Sequence, residues 1–190
     1  TSVTCTVSGT VQYVNIEINT NDSSVTYPTS WMKTLGSIVT RNADVPSLTG
    51  ASALLGDSEG GVFIEASFSG TAQGLISIND GSTSDRLALG YSSGNAFAIF
   101  TSSSGTAGTE TGTVISVNTF VKLAISYVDG LTLFQNGVNI GDAGLGAPTG
   151  LTTVSLHRGD GAAPFYGRIR QLVIFNQAPT DSQLAAITTP

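Results

Sequence analysis

The chain has 190 residues, a length that a single β-sandwich domain commonly reaches. Only 11% of them are charged, against roughly 25% in an average globular protein, and the net charge is −6. The seven Lys and Arg residues form no basic stripe, and no apolar run approaches the ~18 residues that span a bilayer. We therefore expect neither nucleic acid nor a membrane as a partner.

The first residue is Thr1 rather than Met, so we expect the chain to be processed or to belong to a longer polypeptide. A single cysteine, Cys5, excludes an internal disulfide framework. Its neighbours alternate as in a strand, which favours a small buried side chain over a reactive thiol.

Short runs of alternating apolar and polar residues, typical of half-buried strands, recur along the chain. Turn-forming residues separate them, and the spacing of roughly ten residues per strand and turn is typical of antiparallel sandwiches. The stretch from Asn19 to Arg41 lacks the alternation and predicts a connector. The predicted strands in this part of the chain are Val11–Ile18, Val62–Phe68, Leu75–Ile78, Arg86–Leu89 and Ala96–Phe100.

The middle of the chain carries the strongest local pattern. The run Phe120–Val128 is followed by Asp129-Gly130, then by Leu131–Phe134, then by Asn136-Gly137. Asp-Gly and Asn-Gly supply the positive φ angles that tight hairpin turns require. The segment therefore predicts a meander of three short antiparallel strands.

Near the C-terminus, Tyr166–Phe175 predicts another strand. Thr180 and Gln183 have the spacing of a capping box, and the apolar residues of Leu184–Ile187 follow. We expect one short helix there. The predicted fold class is all-β, an antiparallel jelly-roll sandwich with one short C-terminal helix.

Few residues are suited to catalysis. The single histidine, His157, leaves one candidate base for a nucleophile, and it is expected on a loop that follows a strand. Glycosidases commonly place paired carboxylates on one strand, whereas the four glutamates offer no such pair. They are Glu17, Glu59, Glu65 and Glu110. We predict no catalytic residue.

The segment Asn79–Asp85 offers several oxygen ligands of the kind that calcium prefers. It lacks the terminal glutamate of the twelve-residue calcium loop, so a hairpin turn is the favoured interpretation. We predict no cofactor and no metal. The tripeptide Arg158-Gly159-Asp160 matches a cell-adhesion motif, and a charged turn is sufficient to explain so short a match.

Four features of the C-terminal part recur together in one known group of proteins. They are the strand Lys122–Tyr127, the hairpin Leu133–Val138, the strand Gly167–Phe175 and the helical segment Thr180–Leu184. Their order resembles the laminin G and concanavalin A-like group. The resemblance implies a lectin-like jelly roll.

A second resemblance rests on Tyr27–Trp31, Val39–Val45 and Ser58–Phe63. These segments resemble a module of tailed-bacteriophage structural proteins such as tail fibres, head fibres and other appendages. The resemblance implies that residues 1–26 are N-terminal strands ending a preceding β-domain, and that residues 27–190 form the jelly-roll domain. It also implies a non-enzymatic virion protein, a fibre, tail appendage or capsid decoration on the virion surface.

We expect identical chains and other virion proteins as partners. The scarcity of charge, and of lysines that protect edge strands, favours burial against identical chains. The choice of a trimer is implied by the resemblance to phage fibres.

We also expect the jelly roll to bind host cell-surface glycan through aromatic and charged side chains. For the aromatic candidates, core positions are an equal alternative. A polysaccharide-degrading glycosidase or lyase on a concanavalin A-like fold is the alternative function. The candidate glycan-binding residues are Trp31, Tyr91, His157, Arg158, Asp160 and Tyr166.

Overall fold

The computed structural model describes Gly9 and residues 46–56, 58–69, 74–102, 105–128, 130–144 and 149–190. The chain divides into two units after Ala43, and the fold described below belongs to the second unit, Asp44–Pro190. The predicted strand Val11–Ile18, the predicted connector and the predicted domain boundary after residue 26 lie outside the described residues, as does Cys5.

Two antiparallel sheets face each other in the described part of the chain. The six-stranded sheet has the order β1-β10-β3-β4-β5-β6, and the five-stranded sheet has the order β11-β2-β7-β8-β9. The strands are β1 (Ser47–Thr49), β2 (Gly60–Phe68), β3 (Gly74–Asn79), β4 (Arg86–Ser92), β5 (Asn95–Ser102), β6 (Gly105–Val114), β7 (Phe120–Tyr127), β8 (Gly130–Gln135), β9 (Val138–Gly144), β10 (Thr153–Ser155) and β11 (Gly167–Phe175). A 3₁₀ turn covers Ala51–Leu54, and the helix α1 covers Asp181–Thr188.

Apolar side chains at alternate positions of the strands fill the space between the two sheets. On β2, the side chains of Val62, Ile64 and Phe68 point inward, and every second residue of β7 does the same. They meet inward-facing residues of β3 and β4 from the opposite sheet. The predicted all-β antiparallel sandwich is confirmed.

The outer face of the five-stranded sheet carries a second apolar cluster. Phe63, Ala124 and Phe134 lie on this face and pack against Leu184 of α1. The helix begins with the predicted capping box. The Thr180 backbone N–H donates to Gln183 Oε1 at 2.8 Å, and the Gln183 N–H donates to Thr180 Oγ1 at 3.4 Å. The predicted C-terminal helix is confirmed.

The predicted meander is also confirmed, because β7, β8 and β9 are consecutive neighbours in the five-stranded sheet. The turn between β8 and β9 has φ angles of 50° at Asn136 and 86° at Gly137. Both angles are positive, as a type I′ hairpin turn requires. No helix in the described part of the chain is both long and apolar enough to cross a bilayer.

Two strands carry no alternating apolar pattern and were not predicted. β1 has only three residues. β6, Gly105–Val114, is built mainly from Gly and Thr, yet it pairs with β5 along most of its length. Its extended structure depends on that neighbouring strand, because the pleated surface of a partner stabilises threonine-rich segments that lack an apolar signal.

The core makes one prediction about stability. Leu123 is fully buried, so Leu123→Ala should lower the free energy of unfolding by about 2–5 kcal/mol through lost burial and a residual cavity. Leu54 is 50% exposed, so Leu54→Ala should change the free energy of unfolding by less than about 0.5 kcal/mol. Urea titrations of both variants measure the difference. Equal losses would contradict the assigned core.

Candidate functional site

A long loop covers the outer face of the six-stranded sheet. We call residues 156–166, between β10 and β11, the cover loop. On β3, Ile76 and Ile78 point into the core, so Ser77 and Asn79 face the other way, yet both are fully buried. The Leu75 N–H donates to the Ala163 carbonyl at 3.3 Å, which holds the loop along this strand.

A polar network supports the base of this loop. The Asn79 side-chain amide donates to Ser77 Oγ at 2.8 Å and to Ser155 Oγ at 3.3 Å. Asn79 Oδ1 accepts from the Gly81 N–H at 2.9 Å, and Ser77 Oγ donates to the His157 carbonyl at 2.6 Å. These buried polar groups are therefore satisfied, and together they join β3, β10 and the start of the cover loop.

The imidazole of His157 shapes the loop from within. Its Nδ1 accepts from the backbone N–H groups of Gly159, at 3.0 Å, and Gly161, at 3.1 Å. Nδ1 is thus the unprotonated nitrogen, and the proton of a neutral ring stands on Nε2.

Arg158 and Asp160 form a two-point ion pair at the surface of the loop. Arg158 Nε donates to Asp160 Oδ1 at 3.2 Å, and Nη2 donates to Oδ2 at 2.6 Å. Both side chains are 38% exposed. Such a fork holds two polar groups in one plane, ready to meet the hydroxyls or charged groups of a ligand.

The ion pair also changes the acidity of both partners. The Arg158 hydrogen bond, followed by the Ala162 N–H, lowers the pKa of Asp160 from 3.8 to about 2, while Asp160 raises the pKa of Arg158. Because the folded pKa of Asp160 is depressed, its contribution to loop stability is complete above about pH 4. That contribution is lost as the pH falls through about 2.

A second guanidinium lies beside the loop. Arg86, the first residue of β4, donates through Nη1 to the Arg158 carbonyl at 3.5 Å, and its Nε is buried without a hydrogen-bond partner. Burial lowers the pKa of Arg86, and the charge of Arg158 lowers it further, whereas Asp160 opposes this. Arg158 and Asp160 of the cover loop and Arg86 of β4 therefore bring two arginines and one carboxylate together.

The segment Asn79–Asp85 forms the predicted hairpin turn between β3 and β4. The Asp80 N–H donates to the Asp85 carbonyl at 3.1 Å, and Gly81 has a φ angle of 92°. Asp80 Oδ1 accepts from both the N–H and the hydroxyl of Ser82. In the residues that the structure describes, no three His, Cys, Asp or Glu side chains are grouped as a metal site would need.

The structure separates the predicted glycan-binding residues. His157, Arg158 and Asp160 lie together on the cover loop, but His157 is only 7% exposed. Tyr166, at the end of that loop, is 55% exposed. The prediction that Tyr91 has a surface role is wrong. Tyr91 is only 3% exposed, and its ring stacks on that of Phe68 in the core, with the two ring centroids 5.6 Å apart. Trp31 lies outside the described residues.

Sequence reasoning missed Ser77, Asn79 and Arg86 as parts of this site. Asn79 lies 76 residues from Ser155, and Ser77 lies 80 residues from His157. Only the pairing of β3 with β10 brings them together. A fully buried asparagine at a strand end was a possible signal, but burial is not visible in a single sequence.

The sequence that forms the two-sheet sandwich and its cover loop matches one known protein family. The sequence model of the concanavalin A-like lectin/glucanases superfamily matches residues 40–185 of the chain. The chain belongs to this superfamily. The match includes both sheets, the cover loop and most of α1, so the whole site described above lies within the lectin-like domain. A comparison with curated protein sequences found no match.

Solved structures share the lectin-like fold. The carbohydrate-binding module CBM40 of the Ruminococcus gnavus sialidase, bound to α2,3-sialyllactose, is 20% identical, with a TM-score of 0.62 over 74% of this chain and 87% of that one. Domain 4 of the Geobacillus stearothermophilus arabinanase AbnA, in complex with arabinotriose, is 18% identical, with a TM-score of 0.53 over 71% and 68%. Mouse laminin α1 domains LG4-5 are 13% identical, with a TM-score of 0.53 over 74% and 41%.

Substitutions at two glycines of the cover loop can test how closely the loop packs against the turn between β3 and β4. A Cβ atom on Gly159 would collide with the Ser82 carbonyl and approach Asn79 Cγ to 3.2 Å, whereas one on Gly161 meets nothing within 4 Å. Both have positive φ, so Gly161→Ala should cost about 1–2 kcal/mol of unfolding free energy from backbone strain alone.

Gly159→Ala should cost clearly more, because steric collision adds to the same strain. Thermal and urea unfolding of the two variants compare them directly. If the two losses are equal, the loop does not pack against the hairpin as described.

Proposed function

We propose that this chain is a non-enzymatic carbohydrate-binding module, and that the cover loop provides its glycan-binding site. The observation that carries the proposal is the Arg158–Asp160 ion pair, half-exposed and set on a loop with internal hydrogen bonds. Because the loop is ordered before a ligand arrives, binding costs little conformational entropy. The pair offers donors and acceptors in one plane, as recognition of sugar hydroxyls requires.

The likeness to known structures supports the same function. The R. gnavus module was solved with sialyllactose and the arabinanase domain with arabinotriose, so this fold presents glycan-binding sites in proteins of different specificity. The chain has few positive charges with which to bind nucleic acid. Its hydroxyl- and amide-rich composition is suited to a ligand whose own groups are hydroxyls.

Two features support the absence of catalysis. His157 uses Nδ1 to accept two backbone hydrogen bonds, so it is poorly placed to act as a base. Glu59 and Glu65 are separated by six residues of extended chain, about 20 Å. The two carboxylates of a glycosidase stand about 5–10 Å apart. A polysaccharide-degrading enzyme remains the alternative function, and it predicts hydrolysis or lyase cleavage.

Glycan binding is tested on an array of bacterial surface glycans, with titration calorimetry on the best binder. Arg158→Ala and Asp160→Asn should each weaken that binding by at least about tenfold, because each breaks the fork and leaves its partner unpaired. Arg158→Lys should bind as weakly as Arg158→Ala, since the lysine ammonium group cannot make the two-point contact with Asp160.

Asp142→Asn is the matched control, because Asp142 is an exposed carboxylate on β9 of the other sheet. It should bind as the unaltered protein does. Absence of binding to every glycan, or unchanged binding in both cover-loop variants, would overturn the proposed site. New reducing ends or unsaturated sugars after incubation with the bound glycan would overturn the non-enzymatic assignment.

We further propose that the module belongs to a bacteriophage virion, on its surface, as part of a fibre, tail appendage or capsid decoration. The support is the resemblance of Tyr27–Trp31, Val39–Val45 and Ser58–Phe63 to such proteins. Identical chains, in a trimer, are the proposed partners. The low charge supports this, as do Val114 and Val138, which are 76% and 59% exposed on the contacting edge strands β6 and β9.

Light scattering on the purified chain at micromolar concentration tests the assembly, and a trimer mass is the expected result. Val114→Asp combined with Val138→Asp should reduce that mass, because charge would then stand at the buried contact. A monomer mass that is stable across dilution would overturn the trimer. Antibody labelling of phage particles tests the virion location separately.

A further inference from the structure

Basic side chains gather on the outer face of the five-stranded sheet, opposite the cover loop. The whole chain has seven Lys and Arg residues, and three of them, Lys122, Arg168 and Arg170, lie on β7 and β11. Both arginines are exposed. In a chain of net charge −6, this is a group of basic side chains that the proposed glycan site does not use.

A β-bulge positions these side chains. The pairing of β11 with β2 shifts register between Ile169 and Gln171, so that Arg170 is the extra residue. A bulge places neighbouring side chains on the same face of a sheet and increases the local twist. Arg168, Arg170 and Gln171 are accordingly all directed away from the core and exposed to solvent.

One aromatic ring holds both guanidinium groups. Arg170 Cζ lies 3.7 Å from the centroid of the Phe120 ring, and Arg168 Cζ lies 5.5 Å from it. Glu65 balances part of the charge through a 2.7 Å ion pair with Arg170, whose side chain is still 60% exposed. The ring and the ion pair thus hold the two guanidinium groups side by side at the surface, while Lys122 Nζ donates to the Thr189 carbonyl at 2.6 Å.

Tyr166, the last residue of the cover loop, borders this surface. It stands two residues before Arg168 and directly after Phe165, whose ring packs against Phe68 in the core. With 55% of its surface exposed, the Tyr166 ring can cover the apolar face of a sugar. We call Tyr166, Arg168, Arg170 and Phe120, with Lys122 beside them, the arginine strip.

We propose that the arginine strip binds an acidic polysaccharide chain through its carboxylate or sulfate groups. The guanidinium groups supply two-point hydrogen bonds to such anions, and Tyr166 supplies a stacking surface for the sugar between them. Nucleic acid is disfavoured, because a duplex carries one charge per about 1.7 Å and is bound by longer rows of cations. A negative chain repels so dense a polyanion more than a sparsely charged glycan.

The test titrates the full chain with polygalacturonate, chondroitin sulfate, neutral dextran and oligothymidylate at low salt. Either acidic polysaccharide should bind, and neutral dextran should not. Arg168→Ala and Arg170→Ala should each weaken that binding by at least about tenfold. Glu65→Gln should tighten it, because it removes the carboxylate that competes for Arg170.

Asp142→Asn on β9, at the opposite edge of the same sheet from β11, is the control and should leave this binding unchanged. Unfolding curves of all variants verify that each is folded. The proposal is overturned if neither acidic polysaccharide binds, if oligothymidylate binds as tightly, or if the two strip variants bind like the unaltered protein. Since the cover-loop variants are scored on a different face, failure here leaves the glycan-binding proposal standing, and the reverse also holds.

Discussion

The side chain of Asn79 is the polar contact on which the described site depends. It is fully buried on the outer face of the six-stranded sheet and makes hydrogen bonds to β3, to β10 and to the turn before β4. An unpaired amide in that position would cost about 1–3 kcal/mol. The cover loop shields this network from water, and the network in turn fixes where the loop starts. The position of the Arg158–Asp160 pair follows from that anchoring.

The two outer faces of the sandwich are covered by different chemistry. On the five-stranded sheet, α1 buries Phe63 and Phe134 through apolar contacts, which hold without directional bonds. On the six-stranded sheet, the cover loop is held by hydrogen bonds to specific partners, which fix its backbone more closely. Directional bonds are suited to positioning a binding loop, while the apolar helix leaves the far end of β11 uncovered for the arginine strip.

Much of the fold was predictable, because alternation, Asn-Gly turns and a capping box are local signals. The meander β7–β9 and the helix after Thr180 follow from them directly. β6 was not predictable, since its Gly- and Thr-rich segment becomes a strand only beside β5. The site was predictable in part. Arg158 and Asp160 are neighbours in sequence, whereas Arg86 joins them through sheet pairing, and the core position of Tyr91 depends on its contact with Phe68.

The distribution of the scarce charges suggests how the two proposed surfaces differ. In the described residues, Lys and Arg fall into two groups, one at the cover loop and one on the arginine strip. At the cover loop, Asp160 is bound twice by Arg158, so the exposed pair is neutral and a ligand there meets hydrogen-bonding groups more than charge. On the strip, the Arg170 side chain is still 60% exposed beside Glu65, so an anionic ligand there meets a charged guanidinium group. Salt screens exposed charges over about 10 Å at 0.1 M. Glycan binding at the strip should therefore weaken steeply as the salt concentration rises, while glycan binding at the cover loop should change little. The salt dependence of a glycan's affinity thus identifies the face to which that glycan binds.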